Sequence, residues 1–414
     1  MTPLGAVWAA ATTMAAPGLR LMLRARQARG KEVKGRLPER RGVETTPRPP
    51  GRLIWLHAAS VGETMAILPV LPELAKAGTI LLTTGTVTSA RLLAQRLDPG
   101  LTARVLHRFA PLDVPAWVRR FLDHWQPDVA GFVESELWPN LLAACRARRI
   151  PTMLINARLS DRSLRRWRRV PALARHVLGE FARVQPRSVA DADRLRSLGC
   201  GQVGEPGDLK LAALPLPADA AELRRLGQLL EGRPVWLAAS THAGEEALAL
   251  SVHGTLAPRH AGLLTVIAPR HPERGAEIPA AAYRSRGDDP PAGGVWVADT
   301  LGELGLWYRL AGIAFIGRSL LPPGGGQNPL EPARLGCAIA VGPHTGNFAE
   351  HVAMLRDAGA LTVVQDATEL AAWVDGLLGD PVRRRAMARA AVEAVARHSD
   401  LPRRTADALI GLLG

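Results

Sequence analysis

Residues 52–64, RLIWLHAASVGET, carry the pattern that decides the fold. An apolar run, Leu53–Leu56, breaks into small residues, and a carboxylate, Glu63, follows just before a helix-like segment. A strand that ends in a small-residue turn at a helix start is typical of open α/β sheets, which bind ligands outside the carboxyl ends of their strands. Glu63 is therefore a candidate general base. An acidic residue in the first turn of a helix also offsets the helix dipole, so that alternative stays open.

Apolar strand candidates alternate with helical stretches on both sides of a Pro-rich break at 212–220, which we interpret as a hinge. This pattern predicts an α/β protein with two Rossmann-like halves and a crevice between them. The predicted strands are 53–56, 79–83, 129–133 and 152–155 in the first half, and 235–238, 263–267, 295–297, 313–316 and 338–341 in the second. The predicted helices of the first half are 65–77, 87–97, 114–124 and 137–148.

The predicted domains are 52–211 and 221–414, preceded by a Pro-rich linker at 42–51. The helical pattern at 367–414 either completes the second half or crosses back to the first. No short-period repeat is visible, which argues against a solenoid.

Composition narrows the class of partner. The chain has 414 residues, 47% of them hydrophobic, which suffices for two large cores. Its net charge of +14 favours an anionic partner or membrane surface. Aromatic residues make up only 4%, which argues against nucleic-acid binding by base stacking. The three cysteines are scattered without CxxC spacing, so we expect neither a disulfide framework nor a zinc site, and a reducing compartment.

The N-terminal residues 1–41 are predicted to be a membrane anchor or a membrane-proximal basic helix. Residues 4–23 are mostly apolar but rich in Ala, and basic residues follow densely between Arg24 and Arg41. This arrangement indicates a weak single span or an interfacial helix, with the rest of the chain in the cytoplasm. An ordinary helix of a soluble domain is the alternative.

Three further segments of the first half carry polar groups. In GFVESELWPN, Glu134 and Glu136 follow an apolar strand, where they either orient a hydroxyl or cap the next helix. Residues 155–169 are dense in Arg, which indicates a solvated basic face or a patch for phosphate-bearing lipid. Lys210 ends the first half, where a cation could meet a phosphate or carboxylate.

The second half shows the pattern of a nucleotide site. Residues 236–246 run from a strand through Ser240 and Thr241 to a helix start, which offers backbone N–H groups to an anion. Arg270 and His271 lie just past another strand. Three glycines at 324–326 precede Asn328 and Glu331 at a helix start, where a phosphate and a ribose could bind.

Together these motifs resemble one family. The segments HAASVGE, ESELWPN, NARLSDRS, STHAGEE, PRHPER, GELGLWY, NPLEPA and GPHTGNF occur in the order seen in 3-deoxy-D-manno-octulosonic acid (Kdo) transferases of lipopolysaccharide synthesis. The resemblance runs from about Glu39 to the 390s. It implies a GT-B fold and a metal-independent, inverting glycosyltransferase without a cofactor. Such an enzyme moves Kdo from CMP-Kdo onto the lipid A precursor at the cytoplasmic face of the inner membrane.

The resemblance also implies roles for individual residues. Glu63 matches the general base of the family, and Glu134 and Lys210 match residues that support the transition state. The positions that match the CMP contacts are Pro269, Arg270, Gly302, Glu303, Leu304, Asn328, Pro329, Leu330 and Glu331.

Three segments depart from the family pattern, one of which is the run at 205–208, EPGD, more acidic than is usual before Leu-Lys. Arg318 stands where Gly is common, and Gln327 lies in a loop that is one residue longer than usual. Both changes bear on the phosphate contacts. Two other functions are compatible with the residues: a GT-B transferase or epimerase that uses a UDP-sugar, and a non-catalytic membrane-associated scaffold that binds a nucleotide. The sequence leaves the number of Kdo units and the oligomeric state open.

Overall fold

The structure is a computed structural model that describes residues 3–413. These residues form two compact units, each built on its own parallel β-sheet. The first unit comprises the described residues up to Leu214 and the C-terminal segment from Ser399, and the second comprises Pro215–His398. The boundary between them falls inside the predicted hinge at 212–220.

The first sheet has six strands: β1 Leu53–Ala58, β2 Thr79–Thr84, β3 Val105–Phe109, β4 Val129–Val133, β5 Thr152–Ala157 and β6 Arg183–Pro186. Their order is β3-β2-β1-β4-β5-β6, and all neighbours are parallel. The chain first adds strands on one side of β1 and then, from β4 onward, on the other side. The switch point of this doubly wound sheet therefore lies between β1 and β4, at their carboxyl ends. Glu63 follows β1 and Glu134 follows β4, which brings these two predicted residues to the same edge.

The helices of the first unit flank this sheet. They are α1 Pro3–Ala28, α2 Val61–Ile67, α3 Leu71–Leu74, α4 Val87–Arg96, α5 Pro115–Trp125, α6 Pro139–Ala147, α7 Asp161–Trp167, α8 Pro171–Leu178 and α9 Val189–Ser197. The predicted helix at 65–77 is wrong in its bounds, because the helix begins at Val61 and a 3₁₀ turn at Leu68–Val70 separates α2 from α3. Pro69 and Pro72 lack the N–H groups that a continuous helix needs there.

The second sheet has seven strands: β7 Val235–Thr241, β8 Leu264–Pro269, β9 Ala282–Tyr283, β10 Gly294–Val297, β11 Ile313–Ile316, β12 Ala338–Val341 and β13 Leu361–Val363. Their order is β13-β12-β11-β7-β8-β10-β9. The helices of this unit are α10 Ala220–Leu229, α11 Glu245–Leu256, α12 Leu304–Ala311, α13 Leu330–Arg334, α14 Ala349–Asp357, α15 Ala367–Gly379 and α16 Pro381–Ala396. Strands β3, β6, β9 and β13 lie toward the sheet edges and were not predicted.

The last helix, α17 Leu401–Ile410, belongs to the first unit. The predicted second domain of 221–414 therefore extends too far, and the chain crosses back. Leu401 and Leu409 are buried in the same apolar cluster as Ile54 and Leu56 of β1. Gly131 in β4 makes room for this packing, because a Cβ there would lie 2.8 Å from Leu56 Cδ2 and 3.4 Å from Leu409 Cδ2.

Helix α1 packs on the first unit. Trp8 Nε1 donates to Asp113 Oδ2 at 2.9 Å, Asn140 Nδ2 donates to Thr12 Oγ1 at 3.0 Å, and Leu23 is buried against Val114. The residues predicted as a membrane anchor or membrane-proximal helix therefore form part of this unit. Among residues 3–413, no helix has both the length and the apolar character that crossing a membrane requires.

The predicted linker at 42–51 is likewise held against the first unit. Arg108 pairs with Glu44 and donates to Thr46, and Arg48 Nε donates to the carbonyl of Trp125 at 2.9 Å. A Cβ at Gly42 would lie 2.1 Å from the carbonyl oxygen of Trp117, so the chain passes α5 too closely for a side chain.

Replacing Leu409 by Ala tests the return of α17 to the first unit. Truncating a fully buried Leu costs about 2–5 kcal/mol, so we expect faster hydrogen exchange in β1 and β4 with little change in β7 and β8. Leu229→Ala is the control, because Leu229 is exposed on α10. Faster exchange in the second sheet instead of the first would contradict this assignment of α17.

Candidate active site

Glu63 is buried at the carboxyl end of β1, in the first turn of α2. Its Oε2 accepts from the backbone N–H of Ala59 at 2.7 Å, and its Oε1 accepts from Ser60 Oγ at 2.7 Å. Ser60 caps the helix by accepting from the N–H of Glu63. The carboxylate thus takes part in the local capping network and has a fixed position, so the two interpretations of Glu63 are compatible.

Burial raises the pKa of Glu63, the hydrogen bond from Ser60 lowers it, and the charges of Glu136 and Glu134 raise it again. The net shift is upward. A carboxylate with a raised pKa is a better proton acceptor near neutral pH, which suits a general base.

Glu136 pairs with a histidine to which the sequence assigned no role. His57 Nε2 lies 3.2 Å from Glu136 Oε2, and His57 Nδ1 lies 3.0 Å from Thr83 Oγ1. Trp138 Nε1 also donates to Glu136. Burial alone would raise the pKa of Glu136, but the hydrogen bond and charge of His57 and the bond from Trp138 hold it below its usual value. Glu136 therefore stays ionised beside Glu63.

Glu134 and Lys210 form an ion pair, with Lys210 Nζ 2.8 Å from Glu134 Oε1. The loop conformation that allows this is unusual, since Glu134 has φ +60°. Lys210 lies in a 3₁₀ turn whose start is held by two hydrogen bonds. The backbone N–H of Leu209 donates to Asn156 Oδ1 at 3.0 Å, and the backbone N–H of Lys210 donates to Asp208 Oδ1 at 2.9 Å. Asn156, which is buried with φ +54°, was not singled out from the sequence.

The basic segment 155–169 forms the end of β5 and helix α7. The side chains of Arg165, Arg166, Arg168 and Arg169 are exposed. Asp161 at the start of α7 pairs with Arg194 at 2.9 Å. The segment is thus a solvated basic surface, and its predicted role in binding phosphate-bearing lipid stays a prediction.

In the second unit, Ser240 and Thr241 end β7 and are buried. Ser240 has φ +54°, which turns the chain toward α11. Pro269 is the buried last residue of β8, and Arg270 follows it with an exposed side chain while its N–H donates to the carbonyl of Thr241 at 3.0 Å. The strand ends that carry Thr241 and Arg270 are therefore joined directly.

The carboxylate of Glu245 is buried, and the sequence analysis assigned it no role of its own. It accepts backbone N–H groups from Arg318 at 2.6 Å, Ser319 at 2.9 Å and Leu320 at 3.0 Å. It also accepts from the N–H of His242 at 2.9 Å. These amides are therefore already occupied, and we expect any phosphate at this edge to bind elsewhere.

The side chain of Glu303 is also occupied. Arg284 binds it with both Nε, at 3.1 Å from Oε2, and Nη2, at 2.8 Å from Oε1, and Thr300 donates to it as well. Arg284, followed by Thr300, lowers the pKa of Glu303. Gly302 has φ +87°, and Leu304 begins α12. The Glu303 carboxylate is thus engaged within the protein, and the nucleotide contacts of Gly302, Glu303 and Leu304 stay a prediction.

Asn328 and Glu331 lie together, with Asn328 Nδ2 donating to Glu331 Oε1 at 3.1 Å. Asn328 Oδ1 accepts from the N–H of Leu330 at 3.1 Å, which fixes the turn through Pro329. Helix α13 has only five residues, so the predicted helix-dipole contribution to phosphate binding at its N-terminus is small. The ribose role of Glu331 stays a prediction.

The two departures from the family pattern in the second half lie near each other. Arg318 has φ +56° and an exposed side chain, and its carbonyl accepts from the N–H of Gly326 at 2.7 Å. Gln327 Nε2 lies 3.0 Å from His242 Nε2. Burial lowers the pKa of His242, and the charge of Arg318 lowers it further, so a neutral ring can accept this amide N–H.

Comparison with known proteins decides the family. A sequence profile described as 3-deoxy-D-manno-octulosonic-acid transferase (kdotransferase) matches residues 35–213. A probable mitochondrial 3-deoxy-D-manno-octulosonic acid transferase of Arabidopsis thaliana is 38% identical over 91% of this chain and 88% of its own length. The 3-deoxy-D-manno-octulosonic acid transferase of Bordetella pertussis is 36% identical over 89% of each chain.

This chain belongs to the Kdo transferase family. Membership makes it a glycosyltransferase and confirms the resemblance that its motifs indicated. The fold agrees, since the UDP-GlcNAc 2-epimerase of Neisseria meningitidis superposes with a TM-score of 0.58 over 86% of this chain and 99% of the epimerase. At 15% identity that likeness concerns the GT-B fold alone.

Replacing Glu63 by Gln tests how much the burial of the ionised Glu63 carboxylate lowers the stability of this Kdo transferase. A raised folded-state pKa means that ionisation is harder in the folded state than in the unfolded one. The cost is absent at pH values below the ordinary carboxyl pKa, grows as the pH rises toward the raised pKa of the folded state, and is constant above it. We therefore expect Glu63→Gln to unfold at a higher denaturant concentration than the unsubstituted protein at pH 8, with the difference vanishing near pH 4.

Glu231→Gln is the control, because Glu231 is exposed. An equal effect of Glu63→Gln at both pH values would contradict a raised pKa at Glu63.

Proposed function

We propose that the protein transfers Kdo from CMP-Kdo onto a lipid A precursor, with inversion at the anomeric carbon and without a metal. The single observation that carries this proposal is the buried Glu63 carboxylate, whose position is set by Ala59 and Ser60 and whose pKa is raised. Family membership supports Kdo as the sugar that is moved, because the relatives from Arabidopsis thaliana and Bordetella pertussis are Kdo transferases by name.

In this mechanism Glu63 removes the proton of the acceptor hydroxyl as that oxygen attacks the anomeric carbon of Kdo. The bond from that carbon to the phosphate oxygen of CMP breaks with oxocarbenium character, and the electron pair leaves on CMP. CMP is a weak base, so no protein acid is essential. Glu134 and Glu136 favour this step because their negative charges make Glu63 more basic.

Lys210 supplies a positive charge close to these carboxylates. Its ammonium lies 2.8 Å from Glu134, so Glu134 holds it in one orientation. A fixed cation stabilises negative charge that develops on a leaving phosphate or on the Kdo carboxylate at no cost of reorientation. We propose that Glu134 acts through Lys210 and thereby supports the transition state.

The second unit supplies the donor contacts in this proposal. Arg270 is exposed after β8 and is free to meet the phosphate of CMP by charge. The backbone from Gly302 to Leu304 and the pair of Asn328 and Glu331 then bind the base and the ribose. Glu331 is suited to ribose hydroxyls because a carboxylate accepts two hydrogen bonds.

The charge of the protein supports the proposed acceptor and its location. A net charge of +14 and the basic surface at 155–169 favour an anionic glycolipid at an anionic membrane surface. We propose that the protein works at the cytoplasmic face of the inner membrane, with α1 at the interface.

Mass spectrometry of the lipid products tests the reaction. Purified protein with CMP-Kdo and a lipid A precursor should give a product heavier by one or more Kdo units, and CMP should inhibit while UDP does not. Glu331→Ala should raise the apparent dissociation constant of CMP by roughly tenfold, the worth of one lost charged hydrogen-bond pair. Inhibition by UDP, or use of a UDP-sugar, would favour the alternative GT-B enzyme.

Lipid binding without consumption of CMP-Kdo would instead favour a non-catalytic scaffold. An unchanged dissociation constant in Glu331→Ala would contradict the ribose role of Glu331.

A pH profile tests Glu63 as the base. Glu63→Gln should lower kcat by at least about a hundredfold, the usual contribution of general base catalysis, with CMP binding unchanged. In the unsubstituted protein, the acid limb of kcat/KM should lie above the ordinary glutamate pKa. Glu136→Gln should move that limb to lower pH, because it removes a negative charge that raises the pKa of Glu63. Substantial turnover by Glu63→Gln, or an unmoved limb in Glu136→Gln, would remove Glu63 from this role.

A further inference from the structure

A cavity of 240 Å³ lies in the first unit between α1 and the carboxyl edge of the sheet. Its walls are mostly apolar, and they come from α1, from the segment after β3, and from the start of α6. The apolar residues of the wall are Met22, Leu23, Ala59, Ala110, Pro111, Leu112, Trp138 and Leu141. The predicted site residues do not include any of these.

The polar side chains in the wall already have partners. Glu32 is buried and accepts from Arg26 Nε at 2.9 Å and from Arg40 Nη2 at 3.1 Å. Arg40 Nη2 also donates to the carbonyl of Gly85 at 2.7 Å. His57 is engaged by Thr83 and Glu136. A polar occupant would find few free hydrogen-bonding groups here, and desolvating it would not be compensated, so the cavity favours an apolar one.

The cavity adjoins the proposed base. Ala59 lines it, and the N–H of Ala59 donates to Glu63 Oε2 at 2.7 Å. His57, which also lines it, is joined to Glu136 at 3.2 Å. An occupant of the cavity would therefore lie against Ala59, which contacts Glu63, and against His57, which contacts Glu136.

The outer face of α1 is apolar and exposed. Val7, Met14 and Leu21 are 65%, 77% and 64% exposed, and their spacing of seven residues places them on one side of the helix. Met22, which is 42% exposed, lies beside them and also lines the cavity. The cavity thus opens beside the face of α1 that suits a lipid surface.

We propose that this cavity binds one fatty-acyl chain of the acceptor glycolipid. This inference rests on the proposed function and deepens it. The volume is below the roughly 300–1,000 Å³ typical of pockets for drug-sized ligands, so it fits a slim chain and excludes the sugar. Arg26, whose side chain is 39% exposed, and Arg40 share the one carboxylate of Glu32, which leaves a net positive charge for an anionic acceptor.

Photolabelling locates the chain directly. The probe is a lipid A precursor with a diazirine near the end of one acyl chain, irradiated with the full-length protein in detergent micelles. We expect crosslinks in residues 22–26, 110–112 or 138–141. Crosslinks confined to other segments would overturn the inference.

Two substitutions that fill the cavity test its role in turnover. Ala110→Leu adds bulk from the inner wall, and Met22→Trp narrows the mouth at a position that is 42% exposed. Each should raise the KM for the acylated precursor by roughly tenfold and reduce labelling. The rate with the same sugar phosphate stripped of its acyl chains should not change. Val189→Trp is the matched control, because Val189 is exposed on α9 and does not line the cavity.

The outcomes separate the two proposals. Equal effects of both cavity variants on acylated and deacylated acceptors would overturn the acyl-chain site while leaving Kdo transfer in place. Transfer of Kdo to neither acceptor by the unsubstituted protein would contradict the proposed function, and the labelling pattern would still decide whether an acyl chain occupies the cavity.

Discussion

The candidate site of the first unit depends on three carboxylates that lie at one edge of the sheet and repel one another. Glu63, Glu134 and Glu136 follow the neighbouring strands β1 and β4, where the doubly wound order reverses. Like charges this close raise the cost of ionising each other. Two cationic or ionisable partners relieve the cost, since Lys210 pairs with Glu134 and His57 pairs with Glu136. Glu63 instead accepts two hydrogen bonds, from Ala59 and Ser60, and its pKa is raised.

Two residues at the same edge of the sheet have left-handed backbone conformations. Glu134 and Asn156 both have positive φ although neither is Gly, and each such residue costs on the order of 1 kcal/mol or more. The conformations persist because Asn156 holds the N–H of Leu209 and Glu134 holds Lys210. Strain at this edge is thus balanced by the contacts that align the candidate site.

The sequence predicts the buried parts of the fold well and the edges poorly. Strands β4, β11 and β12 are continuous apolar runs, and β1 begins with one, because both faces of these strands are covered, and all four were predicted. Strand β3 was missed because His107 and Arg108 interrupt its pattern. In the structure, these side chains pair with residues of the N-terminal segment, Arg36 and Glu44. Such partners are distant in the chain, so local pattern does not reveal them.

The return of α17 was left open for a related reason. An amphipathic helix shows in its sequence that one face is buried, but not against which sheet. The deciding feature is the space above Gly131, which only the folded sheet reveals.

The candidate site also has residues that the sequence predicts and contacts that it does not. Glu63, Glu134 and Lys210 were identified from motifs and from the family resemblance. The pairing of His57 with Glu136 spans 79 positions, and the clamp of Glu245 on residues 318–320 spans 73 to 75. Neither follows from periodicity or spacing. Both concern residues inside recognised motifs, so the motif signals which residues matter before the structure shows what they contact.

Arg318 illustrates how a departure from the family pattern is accommodated. A residue with φ +56° is usually Gly or Asn, so Arg at this position carries a backbone cost. Its N–H is held by Glu245 at 2.6 Å and its carbonyl by Gly326 at 2.7 Å, so the backbone geometry is fixed whichever side chain it bears. The guanidinium remains exposed after β11, next to β7 in the sheet. The substitution therefore keeps the loop and adds an exposed cation after β11.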